Sequence, residues 1–497
     1  MDSTRRDFIK FVVAGSMAAG CPVDLALRAE PEPARRPEVD GEHNAICHEV
    51  RDGRTFPRPA PSQRRDVVIV GGGVSGLTTA YLLEDHDFLI LEKEPHWGGN
   101  AYLEEYQGQA FATGAAFTET DESPAIALAT ELGLPMLRVN NPDPTLLHGE
   151  FVADTWRGGL DHLPYSASVR ESFKKFRSDI QGVKIAGRER ELDAQPFAQY
   201  FKGYAPEVKQ WWDNYGPSNW GSRTEETSAL IGLFEQQNLS KDHPDPRVTW
   251  PGGLGAITHK LSERLAAGHA EHMLAGATVI AVEQEKNEVQ VTYVDPSGEV
   301  KAVAARAAIM ATPKFITWRL VAGLPGGQRD AMRQMRYIPY PVVNLIFDRP
   351  VYNKGYDTWC PGNTFTDFIV ADWTLQQNDQ SYKQKNNILT FYTPLSEAER
   401  PVLLTEESCR DLAGRVLADF QKLFPGSKVD PAEVRIYRRG HPLYMSTPGN
   451  FSQVQPQVRQ PMDRIFFANT DSQGPVSTTS QGIVAAHRAV REASRWL

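Results

Sequence analysis

The chain has little cysteine: four residues in 497, Cys21, Cys47, Cys360 and Cys409, too few for a disulfide-scaffolded fold. No apolar run reaches the ~18 residues needed to cross a bilayer, which excludes a polytopic membrane protein. Positive charge is not in excess either. Lys and Arg number 53 against 62 Asp and Glu, a formal net charge of −9. That balance speaks against a nucleic-acid partner held through phosphates. What is present is ordinary globular composition, 41% hydrophobic and 23% charged, with enough chain for two or more domains and a large core.

The first 21 residues read as an address. Arg5, Arg6 and Lys10 precede an apolar stretch over residues 11–20, a signal-peptide core too short to span. Thr4-Arg5-Arg6-Asp7-Phe8-Ile9-Lys10 resembles the twin-arginine export signal. The resemblance implies the twin-arginine translocase as a partner, export of a folded chain with its cofactor loaded, and a periplasmic or extracytoplasmic location. Ala18-Ala19-Gly20-Cys21 resembles a lipoprotein cleavage box, which would anchor the chain to the membrane through Cys21. Ordinary cleavage near Ala19 is the alternative. Residues 22–63, with prolines at 31, 33 and 37, are expected to be a linker.

A dinucleotide fold opens next. Asp66-Val67-Val68-Ile69-Val70 is a β-branched run, followed at once by Gly71-Gly72-Gly73-Val74-Ser75-Gly76. Residues 77–83 have helical character, and Phe88-Leu89-Ile90-Leu91 forms a second strand ending at Glu92. Gly71 permits the tight turn, Gly73 lets the backbone approach a pyrophosphate, and Gly76 lets helix pack on strand. Glu92 stands where an acid accepts a bond from the adenosine ribose. These residues alone leave FAD and NAD undivided.

The rest of the chain divides them. Lys93-Glu94-Pro95-His96-Trp97-Gly98-Gly99-Asn100 follows Glu92, and far away lie residues 459–474, RQPMDRIFFANTDSQG, then Gly482 opening a helix with Ile483. Together these resemble the flavin-containing amine oxidase superfamily, which includes monoamine and polyamine oxidases, phytoene desaturases and protoporphyrinogen oxidase. Thr249-Trp250-Pro251-Gly252-Gly253-Leu254-Gly255 resembles its mid-chain glycine motif, and Ala308-Ile309-Met310-Ala311-Thr312-Pro313 its returning strand. Val279 and Val282 sit in the strand that touches adenine in that family. Residues 111–117, with Gly114 and Ala115, resemble the segment beneath the isoalloxazine ring. Asp471 stands in the acidic position of the final FAD motif.

The resemblance implies FAD as cofactor, with Gly71, Gly73, Val74, Ser75, Gly76, Glu92, Lys93, Gly98, Gly99, Asn100, Gly114, Ala115, Val279, Asp471, Gly482 and Ile483 around it. It implies an α/β fold in which a Rossmann-like FAD domain (64–120, 247–316 and 440–497) is interleaved with an α+β substrate domain (121–246 and 317–439). Helical spacing over 166–245, strands over 340–350 and 388–393, and an amphipathic helix over 411–423 agree with that plan.

Four departures from the amine oxidases stand out. Asn100 replaces the arginine of the usual Gly-Gly-Arg. Val342 falls where those enzymes carry a lysine that holds a water at flavin N5, with Lys314 or His441 as substitutes from other strands. Thr479 and Pro442 replace the two aromatic rings that sandwich the amine. His441 replaces the cysteine that binds flavin covalently in some relatives, which makes it the candidate catalytic residue: a flavin contact, a proton carrier or an attachment point. Trp211, Trp212, Tyr215 and Trp220 are either a substrate wall or packing, and Tyr444 is either pocket or core. His43, Cys47 and His48 form a compact metal-capable cluster that lacks the second cysteine of a C-x-x-C-H haem site, and no metal site is expected. Cys360 and Cys409 are buried thiols or, in an exported chain, a disulfide.

The function implied is an exported FAD-dependent oxidoreductase. It would move hydride from a small organic substrate, amines among the candidates, to flavin and then to oxygen or a membrane quinone or cytochrome. Two alternatives stay open. One is a non-redox flavoenzyme, because Gly98-Gly99-Asn100-Ala101-Tyr102 also resembles a turn of the UDP-galactopyranose mutases. The other is a non-catalytic flavin subunit of a membrane-side complex.

Overall fold

In the computed structural model the described residues are 36–120, 123–139, 144–241, 246–424 and 429–497. The twin-arginine and Cys21 readings lie outside them. No helix among the described residues is long and apolar enough to cross a membrane.

The apolar run after Asp66 builds the strand Gln63–Val70, whose last four residues are fully enclosed. A strand covered on both faces reads as continuous β-branched sequence rather than alternation. It pairs in parallel with Phe88–Glu92 on one side and with the end of Val300–Met310 on the other. Met273–Ala275 extends that sheet beyond Phe88–Glu92, and Ile465–Phe467 lies beside residues 308–310. The antiparallel strands Val289–Val294 and Thr278–Gln284 complete seven. The helices Val74–Leu82 and Thr479–Ala493 pack on one face through Leu77, Ala80, Ile483 and Ala489.

A second, eight-stranded sheet runs in the order Glu38–Gly41, Glu433–Arg438, Val342–Phe347, Asn387–Tyr392, Asp367–Val370, Asp357–Trp359, Thr145–Leu147 and Glu150–Val152. One face carries Val343, Leu345 and Phe391 against Leu412, Val416 and Phe420 of the helix Glu406–Leu423. That helix starts a turn earlier than its apolar spacing suggests, because the Thr405 side chain accepts a bond from Ser408 N at 3.2 Å and caps it. The other face is turned toward residues 112–116. Asn344 Nδ2 and Thr390 Oγ1 each donate to Ala112 O at 3.2 Å.

The aromatic helix Pro206–Trp220 packs Trp211, Trp212, Tyr215 and Trp220 into one core with Trp156 and Phe176, so these rings are structural. The linker expected over 22–63 is corrected from residue 38 on. Glu38–Gly41 pairs in parallel with Glu433–Arg438, and Ala45–Arg51 is a helix. A four-residue polar edge strand is held by backbone hydrogen bonds and carries no apolar alternation by which sequence could show it.

Candidate active site

The glycine turn and its surroundings form a slot lined by backbone. A Cβ on Gly76 would stand 1.8 Å from Gly71 O, so no side chain is possible where the helix Val74–Leu82 leaves the strand. Gly98 has φ +121, a region that favours glycine, and pairs with Gly73 through a single bridge. A Cβ on Gly73 would meet nothing nearer than Gly99 Cα at 3.9 Å, which leaves open room for a diphosphate. Two helix N-termini converge beside it, tied by Ser75 Oγ donating to Gly482 O at 3.1 Å. A Cβ on Gly482 would stand 2.7 Å from Val74 Cγ1, so that contact also needs a glycine. A helix N-terminus favours negative charge; Val74–Leu82 has no side-chain cap there, whereas Thr478 Oγ1 accepts from Gln481 N at 3.2 Å in the last helix.

Glu92 ends the second strand with its carboxylate buried. One oxygen accepts from Gly72 N at 2.5 Å and the other from Glu94 N at 2.8 Å. Burial raises its pKa, against the charge of Lys93 and those backbone bonds. The oxygens keep lone pairs for two ribose hydroxyls. Lys93 bonds Glu94, whose other oxygen meets His43 Nδ1 at 2.5 Å. His43 is therefore a partner of Glu94. Among the described residues no group of His, Cys, Asp and Glu could hold a metal, Cys47 included. Val279 is buried in the strand expected at the adenine.

Asn100 is exposed, and its side-chain amide donates to Pro442 O at 2.8 Å, closing the Gly98–Gly99 turn onto the His441 loop. Gly114 and Ala115 follow. A Cβ on Gly114 would meet Asn100 O at 2.2 Å. His441 is partly buried, with its ring stacked 4.1 Å from Phe315. Burial, and then the Arg400 charge, push its pKa down to about 3, so the imidazole is neutral. Thr479 opens the last helix, and Pro442 offers a carbonyl. Neither supplies a ring.

Three placements could not be read from sequence. Asp471 is the counter-ion of the fully buried Lys314, 2.6 Å away. Its second oxygen accepts from Tyr337 Oη at 2.6 Å and Lys314 N at 2.7 Å. Its carboxylate thus serves a buried ammonium, and Lys314 is not available as a substitute for the missing cation. The buried guanidinium of Arg439 donates to the Thr113 carbonyl and, at 3.0 Å, to its hydroxyl, beside Gly114. The sign of it in sequence was only the pair Arg438-Arg439 at a strand end.

The third is the sheet face itself. Tyr437, Val342, Tyr392, Asp367 and Trp359 are direct cross-strand partners and therefore share one face. Tyr392 Oη donates to Gly114 O at 2.7 Å, and the Tyr340 ring lies 5.9 Å from the Tyr392 ring. Aromatic side chains thus reach this end of the site from the sheet. Tyr444 is core, donating to Gly474 O at 2.9 Å. Cys360 and Cys409 are free buried thiols.

A glycine-lined slot with two helix N-termini, an acid on the second strand and a tyrosine-bearing sheet facing its far end define a dinucleotide-dependent enzyme. The comparisons agree. The sequence profile described as flavin containing amine oxidoreductase matches residues 74–494, and the chain belongs to that family. It is 24% identical over 527 residues to the oxidoreductase PigB of a Serratia strain, covering 86% of this chain and 77% of that protein. It is 24% identical over 470 residues to human flavin-containing amine oxidase B, covering 87% and 86%. A putrescine oxidase structure with bound putrescine superposes with a TM-score of 0.68 at 17% identity, covering 88% of this chain and 100% of that one. Cyclohexylamine oxidase from Brevibacterium oxydans gives 0.66 at 17% identity over 87% and 99%. FAD is the cofactor, and when bound it would supply the electron acceptor for the oxidation.

Proposed function

We propose that this chain oxidises a small amine at the carbon next to nitrogen and that the substrate docks between the flavin end of the slot and the tyrosine face of the eight-stranded sheet. The observation that carries this is the chemistry of that face. Tyr340, Tyr356 and Tyr392 lie near two buried carboxylates, Asp357 and Asp367, with the Arg247 guanidinium 3.7 Å from Asp357. Aromatic faces and buried negative charge suit a small cation. The names of the similar proteins, which include amine, putrescine and cyclohexylamine oxidases, point the same way.

The residues present divide the work. The glycine turn and Glu92 bind the adenosine diphosphate end, and Asn100 holds the His441 loop against it. The tyrosines orient the substrate and keep water from it. For the electrons, our reading is an acceptor other than oxygen, a quinone or cytochrome, because Val342, expected near the position where amine oxidases hold a water, is apolar. Residues 1–21 point to twin-arginine export, with Cys21 as lipid anchor.

The test is an anaerobic screen of flavin bleaching with amines, amino acids, polyamines and isoprenoids. Bleaching by an amine supports the substrate class, and bleaching by isoprenoids alone replaces it. Changing Arg5 and Arg6 to Lys should keep the protein in the cytoplasm, and unchanged export would remove that part of the reading.

A further inference from the structure

We propose that Asp367, reached from Tyr340 through Ser218, takes up the proton that an ammonium substrate must lose before its carbon can be oxidised. The inference rests on the amine reading above. Its observation is a chain of hydrogen bonds assembled from three distant parts of the sequence. Tyr340 Oη lies 2.6 Å from Ser218 Oγ, and Ser218 Oγ donates to Asp367 Oδ1 at 2.8 Å. Thr366 Oγ1 donates to the same oxygen at 2.5 Å. Since the Ser218 proton points at Asp367, the Tyr340 hydroxyl donates to Ser218, and its own oxygen keeps lone pairs to accept from a bound molecule.

The chain lies on the sheet face where the substrate is proposed to dock. Asp367 pairs across the sheet with Tyr392, and Tyr392 with Val342, so Asp367 stands two strands from the position expected at the flavin. At ~4.8 Å per strand that is about 10 Å. Tyr340 and Ser218 each keep part of their surface open, although their neighbours Trp220, Pro339 and Pro341 are enclosed. A narrow cleft on the same face is lined by Phe111, Ala112, Thr249, Trp250, Tyr356 and Ile369. The helix bearing Ser218 is pinned to the Asp367 strand by Asn214 Nδ2 donating to Thr366 O at 3.1 Å.

The step balances without redox change. The substrate N–H bond breaks and its proton passes to Tyr340 Oη. The Tyr340 hydroxyl proton passes to Ser218 Oγ, and the Ser218 proton to Asp367 Oδ1. An ammonium and a carboxylate become a neutral amine and a carboxylic acid. Only the neutral amine has the nitrogen lone pair that favours loss of hydride from the adjacent carbon. Several groups bear on Asp367: Asp357 from its own sheet, Cys360 just past Trp359, Arg247 from a separate three-stranded sheet, and the Tyr340 and Tyr392 phenols. Burial raises its carboxyl to about 7, opposed by the Thr366 and Ser218 bonds and the Arg247 charge. A group titrating there can take and release protons at neutral pH. Asp367 acts through other side chains and is a positioning residue, with Tyr340 as the group that meets the substrate.

The experiment uses the FAD-loaded full chain with n-butylamine as probe. Infrared difference spectra and anaerobic flavin absorbance are followed on mixing, slightly above neutral pH, for the wild type, Asp367→Asn, Ser218→Ala and Tyr340→Phe. The expected result is a carbonyl band of a protonated carboxyl that grows as amine binds and is absent in Asp367→Asn. Ser218→Ala and Tyr340→Phe should keep bound flavin and slow both the band and bleaching roughly a hundredfold. The near-neutral ionisation should vanish from the pH profile of Asp367→Asn. Should that variant fail to fold, the other two cut the same chain without touching a charge and decide the matter. Bleaching with no carboxyl band, or with a wild-type pH profile in Asp367→Asn, overturns the relay and leaves amine oxidation standing. If neither n-butylamine nor any amine of the screen perturbs the flavin, the substrate reading falls and the relay with it.

Discussion

The ammonium of Lys314 lies 2.6 Å from Asp471 Oδ1 with both side chains shut away from solvent. Burial alone would drive the lysine neutral, and it does lower its pKa, against the charge and hydrogen bond of Asp471. A pair of this kind is costly to break from one side. Asp471→Asn should destabilise the protein by about 3–5 kcal/mol, and adding Lys314→Met should restore most of the loss. Urea unfolding of the two single variants and the double variant checks this. Additive losses would mean that the pair is not coupled.

Gly73→Trp should give protein without the yellow flavin spectrum, because the only room for its side chain is the slot facing Gly99. Glu92→Ala should weaken FAD retention more mildly, by about 1–3 kcal/mol for lost hydrogen bonds to ribose. Visible absorbance after gel filtration reads both. A fully yellow Gly73→Trp would relocate the diphosphate.

His441 titrates low, near 3, against an ordinary 6.5. As pH falls through about 6.5 the unfolded chain takes up this proton and the folded chain does not. The contribution of His441 to stability is thus complete above that value and is lost between 6.5 and 3. His441→Asn should flatten the acid slope of stability by up to about 1.4 kcal/mol per pH unit in that window. Chemical denaturation at a series of pH values measures it, and an unchanged slope would mean that the imidazole is charged beside Phe315.

Reduced enzyme should pass electrons faster to a quinone than to air. Val342 lies between Tyr392 and Tyr437 in the sheet register, and the nearby guanidinium of Arg439 is committed to Thr113. Loss of one well-placed polar group in a closed site costs about 2–4 kcal/mol, two to three powers of ten in rate. Stopped-flow mixing with aerated buffer and with a quinone compares the two. Oxygen rates equal to the quinone rates would make this an oxidase, with Arg439 the first residue to test.

What sequence revealed was local. The strand, glycine turn, helix and Glu92 fall within thirty residues, so their spacing is a direct image of their geometry. The fold class followed from such motifs taken in order. Asn100 was visible as a departure, but its bond to Pro442 was not, because 342 positions separate them. Tyr340, Ser218 and Asp367 were invisible for the same reason: strand pairing and one helix bring them together, and none belongs to a motif. Asp471 was read by position as a cofactor contact, while its carboxylate answers a buried ammonium that periodicity does not reveal. The aromatic helix gave two readings, and packing chose the core.

The pairing of Glu38–Gly41 with Glu433–Arg438 has a consequence for how the protein behaves in bulk. Among the described residues it is the last strand on that side of the eight-stranded sheet. Take it away, and Glu433–Arg438 becomes a bare margin of amide and carbonyl groups, the surface on which strands from other molecules accrete. A chain trimmed to residue 37 keeps this margin sealed, whereas one trimmed past Gly41 would keep its glycine turn and its tyrosine face and would clump. The polar stretch ahead of the FAD fold is thus a hem, sealing the strand that leads into Arg439 and His441.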